Sequence, residues 1–138
     1  MELRTHGLEL HLHPVGQADS EGWTRVQVEV RVSGFVGRYT AQLQIEDLER
    51  FAIELRRMED GLGQEGRAAL CSAEPDFSIE LDMNRLGQIK GRYVFESERR
   101  DGVPTALAGA FEMDQSFLPS LRQQCAALVS QLSLGNAL

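Results

Sequence analysis

Histidine, cysteine and lysine are scarce in this chain, at three, two and one among 138 residues. The histidines stand at positions 6, 11 and 13, so nothing later in the chain can complete a histidine-based metal site. His11 and His13 share one face of an alternating stretch with Glu9, which is metal-ligand chemistry in outline. With no further ligand tied to that face, they are expected to be exposed side chains, and no metal or cofactor is expected. Cys71 and Cys125 both sit in apolar patterns. They read as small buried thiols, neither an activated nucleophile nor a disulfide pair. GxSxG, HExxH, CxxC and the P-loop are all absent. A non-enzymatic protein is therefore expected. No apolar run approaches the roughly 20 residues of a membrane span. The first residues lack a signal peptide's apolar stretch, so a cytoplasmic product is the default. A net charge of -7 argues against nucleic acid or an anionic membrane as the main partner and permits a basic protein.

Strand patterns dominate what is present. Leu8, Leu10 and Leu12 alternate with Glu9, His11 and His13. Val26, Val28, Val30 and Val32 alternate with Arg25, Gln27, Glu29 and Arg31, predicting a strand with one dry and one wet face. Phe35, Gly37, Tyr39, Ala41, Leu43 and Ile45 share the next core face. Leu48, Phe51, Ala52, Leu55 and Met58 then recur at helical spacing, predicting a helix over 47–58 with Asp47 as its N-cap.

A short strand near Ala68 to Ser72 precedes a hairpin. Phe77, Ile79, Leu81 and Met83 lead through Arg85-Leu86-Gly87 into the next strand, with Gly87 at the left-handed position. This register sets Phe77 opposite Phe95, Ile79 opposite Tyr93 and Met83 opposite Ile89. It also sets Glu80 opposite Arg92 and Asp82 opposite Lys90, so both faces agree. The last strand carries Leu107, Gly109, Phe111 and Met113, with Ala106, Ala108 and Ala110 outward. Three alanines on one strand face predict a close neighbour, either a helix of this chain or a partner protein. A second helix over 117–132 follows, with Ser116 as its N-cap and Leu118, Leu121, Cys125, Leu128 and Leu132 as its stripe. Core-face glycines precede aromatics by two positions at Gly37/Tyr39, Gly91/Tyr93 and Gly109/Phe111. The whole reads as one α+β domain over 1–138: a twisted antiparallel sheet of about seven strands with two helices, strands then helix, twice. Residues 134–138 read as a frayed tail.

The strand headed by Trp23, the run FVGRYTAQLQIEDLERFAIEL, the pair Glu74-Pro75, GQIKGRY and FEMDQSFLPSL together resemble the WapI-type family of bacterial toxin-immunity proteins. Asp114-Gln115-Ser116 is the most specific element, and the likeness runs from about Gly7 to Leu132. What the resemblance implies is a non-catalytic cytoplasmic antitoxin. Its partner would be a toxin domain, in some members a tRNA-cleaving nuclease. The motif residues themselves look structural, as a strand-to-helix junction. On that reading the partner is a basic toxin domain, and the first contact residues to test are Glu74, Asp76, Glu80 and Asp82. Glu74 and Asp76 flank Pro75 in an exposed segment, and Glu80 and Asp82 continue the same stretch. These acids also read as a solvated ladder with Arg92 and Lys90. Two other classes stay open: a small-molecule carrier or enzyme domain using a cavity between sheet and helices, and a homodimer with a structural role.

Overall fold

In the computed structural model, residues 1–72, 76–98 and 101–133 are described. Alternation becomes β1 (Glu2–Thr5), β2 (Leu8–Pro14), β3 (Trp23–Val32) and β4 (Phe35–Gln44), an antiparallel meander in that order. The helix α1 (Ile45–Asp60) follows. A second meander, β5 (Gly66–Cys71), β6 (Phe77–Met83), β7 (Gln88–Glu98) and β8 (Pro104–Asp114), leads through a 3-10 turn (Gln115–Phe117) into α2 (Leu118–Ser133). The α+β class and the doubled strands-then-helix order are as expected. Among the described residues the strands number eight and divide into two four-stranded sheets, where one sheet of about seven was expected. β1 escapes sequence reading because it is four residues long and buries only Leu3.

Burial follows the predicted faces closely. Val26, Val28 and Val30 of β3, and Leu8, Leu10 and Leu12 of β2, are buried. The α1 stripe buries Leu48, Phe51, Leu55 and Met58, and the α2 stripe buries Leu118, Leu121, Cys125, Leu128 and Leu132. The inward rows of both sheets and both helices merge into one hydrophobic cluster. The β6–β7 register is the predicted one, including Phe77 with Phe95 and Glu80 with Arg92. Gly87 takes φ +82 in the connecting loop, where Asn84 and Gln88 close the turn.

Several contacts tie the two halves together. A bridge joins His6 to Glu112 of β8. The Glu2 N–H donates to Gln124 Oε1 of α2 at 2.6 Å, and the Cys125 thiol donates to the Leu48 carbonyl at 3.3 Å. Burial pushes that thiol up to about 11, so it stays protonated at neutral pH. Glu54 of α1 accepts the Ala69 N–H at 3.1 Å, which covers the β5 edge.

Both predicted helix caps are displaced. Gln44 caps α1, and Asp47, three residues on, accepts the Gln44 N–H at 3.2 Å, so Asp47 serves the same terminus from inside. At the second junction, Asp114 rather than Ser116 is the capping residue. Its carboxylate accepts the Ser116 N–H at 2.8 Å and the Ser116 hydroxyl as well. The 3-10 turn explains how this cap coexists with Pro119. It ends one helical segment and begins another at Leu118, so Pro119 falls in the first turn of α2, where no N–H partner is required. The Gln115 N–H finds the Gly87 carbonyl at 2.9 Å.

Asp114→Ala is therefore expected to lower the urea midpoint more than Ser116→Ala does, because it removes the acceptor of both hydrogen bonds. The Ser116 hydroxyl, then its N–H, holds the Asp114 carboxyl below its ordinary value of 3.8. The unfolded chain thus takes up this proton first as pH falls. The stability difference between wild type and Asp114→Ala is full above that ordinary value and shrinks as pH drops through the folded one. Urea titrations at neutral and acid pH check both statements.

One further expectation is corrected. Phe35 shares parity with Tyr39 and Leu43 but is 65% exposed, because it sits at the β3–β4 turn, beyond the buried part of its strand. Of the two neighbours expected at Ala106, Ala108 and Ala110, the described residues supply no covering helix, and all three alanines are exposed.

Candidate functional site

The β-sheet pleat puts Glu80 and Asp82 on the outward face of β6, between Arg67 of β5 and Arg92 of β7. Arg92 reaches Glu80 at 2.7 Å and Asp82 at 3.7 Å, and Arg67 lies 3.6 Å and 3.7 Å from the same two acids. Asp82 faces Lys90 on one side and Arg67 on the other in register, and its ion pairs run to Arg67 directly across and to Arg92 on the diagonal, which the longer planar guanidinium can span. Both acids are thus partly neutralised, in a solvated ladder of modest energy.

Asp76 has a different surrounding. Its carboxylate accepts from the Ser72 hydroxyl at 2.6 Å and from the Gln42 N–H at 3.1 Å, and its carbonyl accepts from the Tyr39 hydroxyl at 2.5 Å. It therefore clasps β4 of the first sheet to the entrance of β6 in the second. Burial, and then the Asp76 charge, raise the Tyr39 hydroxyl far above its ordinary value, which keeps it a neutral donor. Glu74 lies outside the described residues.

Two clefts meet at Tyr39. One, of about 550 Å³, is polar and carries Asp76, Glu96 and Glu98 beside Thr40 and Gln42. The other, of about 350 Å³, is apolar and runs between the sheets, with Phe35, Val36, Phe95, Ala106 and Leu107 in its walls. Tyr39 and Ser97 line both. Arg38 lines the apolar cleft but is held by Glu29 at 3.3 Å. Glu96 and Glu98 form no ion pair among the described residues. A third, open cleft of about 600 Å³ lies at the end of the ladder, where Arg67 and Lys90 offset Asp82 and Glu65.

Sequence reading drew its acidic candidates from 74–82 and did not name Glu96 and Glu98, which line the polar cleft. The one usable signal was the triplet Glu96-Ser97-Glu98 ending a strand whose other outward residues include Lys90 and Arg92. The histidines stay near single carboxylates: His11 lies 3.9 Å from Glu2 and His13 lies 3.8 Å from Glu29. Among the described residues no three histidine, cysteine, aspartate or glutamate side chains converge on a metal position. Cys71 and Cys125 are both free. No described helix is long and apolar enough to cross a membrane.

No curated protein matches the chain. The sequence model of the family described as Immunity protein WapI-like matches residues 2–133.

Proposed function

Because the chain belongs to the WapI-like family of immunity proteins, we propose that it is a cytoplasmic antitoxin that works by occupancy: it binds one toxin domain and performs no chemistry on it. The match over 2–133, nearly the whole chain, is the observation that carries this reading. The toxin domain is basic, and a tRNA-cleaving nuclease is the target class that fits best. A nuclease that holds RNA presents positive surface, and a chain of net charge -7 meets it with favourable long-range attraction. Attraction of this kind speeds association and weakens with salt.

The candidate contact acids differ in readiness. Glu80 and Asp82 must exchange Arg67 and Arg92 for a partner's cations, whereas Asp76 must keep its bonds to Ser72 and Gln42. Glu74 completes the candidate set. The test is co-expression with the toxin domain encoded beside this gene, with growth as the readout. Wild type is expected to restore growth, and the purified pair is expected to lose affinity about tenfold or more between low and physiological salt. An absence of protection against that toxin, together with a small apolar molecule retained in the 350 Å³ cleft on purification, would replace this reading by that of a carrier.

A further inference from the structure

We propose that the toxin docks on the double cleft at Tyr39. An apolar side chain of a basic toxin segment enters between the sheets, and a neighbouring cation sits on Glu96 and Glu98. The inference rests on the antitoxin reading and says where on this chain the partner binds.

Three observations carry it. First, Phe35 and Val36 are 65% and 73% exposed at the mouth of an apolar cleft. Large apolar side chains left open around a concavity are a common mark of a protein-binding site. Second, the acidic cleft is continuous with the apolar one through Tyr39 and Ser97. An apolar centre with a charged rim is the arrangement in which a few buried anchors supply affinity and the rim supplies specificity. Third, the charge is available. Glu80 and Asp82 are already held by arginines, but Glu96 and Glu98 have no ion-pair partner among the described residues. Arg99 and Arg100, next in sequence, lie outside those residues.

The clasp from Tyr39 and Gln42 to Asp76 gives the groove a rigid floor. A pre-organised groove loses little freedom when it is filled, which favours tight binding. The outward alanines Ala106, Ala108 and Ala110 of β8 pair with Glu96, Val94 and Arg92 of β7 and leave that face low enough for a partner backbone to approach.

Binding of the purified toxin domain encoded beside the gene, measured by surface plasmon resonance, tests this. Phe35→Asp is expected to weaken binding at least 100-fold, mainly through faster dissociation. Glu96→Lys with Glu98→Lys is expected to slow association at least tenfold and to flatten its salt dependence. Glu80→Lys with Asp82→Lys is expected to do less than either. Circular dichroism and melting curves certify that each variant is folded, and Val36→Asp replaces Phe35→Asp should that variant be unfolded. A larger loss at Glu80 and Asp82 than at Glu96 and Glu98, or wild-type affinity in folded Phe35→Asp and Val36→Asp, would overturn the docking site while leaving the antitoxin reading intact. Wild type that fails to bind the toxin at all would overturn both. A dimer that Phe35→Asp converts to monomer, with toxin affinity unchanged, would make the groove a self-association face and overturn the proposal.

Discussion

Gly91→Ala is expected to destabilise the protein by about 2–3 kcal/mol, an unusually large effect for a single added methyl group. Gly91 pairs directly with Phe111 across β7 and β8, and Gly109 pairs with Tyr93 two positions away. Each glycine therefore lies beneath the aromatic of the facing strand. A Cβ on Gly91 would come within 2.2 Å of the Phe111 ring, and one on Gly109 within 2.4 Å of the Tyr93 hydroxyl oxygen, both far inside van der Waals contact. Phe111 is buried at 3% exposure, so its ring can retreat only by displacing other core side chains. Urea titration gives the loss directly. A change under about 0.5 kcal/mol would mean that the Phe111 ring moves freely and that the inner face of the second sheet is loosely packed. Gly37→Ala is the internal control. A Cβ there meets only the Val30 methyl, at 3.1 Å, so a smaller cost is expected.

Phe51→Ala is expected to cost about 3–5 kcal/mol, the range for deleting a buried aromatic without collapse of the surroundings. Phe51 is 1% exposed in the middle of the α1 stripe, between Leu48 and Leu55. The cluster it joins contains the inward rows of both sheets and of α2. The loss is therefore expected to lower one shared unfolding transition, not to melt the first half alone. Fluorescence of Trp23, in the first half, and amide exchange of α2, in the second, measure the two halves separately. Two separated transitions would show that the halves are independent folding units.

Local pairing was legible in the sequence wherever two faces of a strand imposed the same answer. The β6–β7 register followed because Phe77 with Phe95 and Glu80 with Arg92 demand the same alignment. Both helical stripes were legible for the same reason, since Leu, Phe and Cys recur at one angular position. Division into two sheets was not legible, because alternation states which face is dry and says nothing about which strand lies alongside. The caps were misplaced by two or three residues. Gln44 and Asp114 continue the strand pattern up to the residue that starts the helix, and only the backbone reveals the changeover. Glycine before aromatic was visible along each strand, but the contact that explains it runs across strands. The double cleft was not legible either: Phe35 and Glu96 come from positions some 60 residues apart, and only the packing of one sheet on the other brings the clefts they line together at Tyr39.

The contacts that join the first strand to the end of the chain have a consequence for the timing of biosynthesis. The Glu2 amide waits for Gln124, 122 positions later, and His6 waits for Glu112. Contacts this distant in sequence form late, and a chain emerging from the ribosome holds its early strands incomplete until the last ones appear. A nascent chain halted before β8 would lack the Leu107 and Ala106 wall of the apolar cleft, whatever its first half had achieved. The cleft would then be completed in one step, once β8 and α2 have emerged.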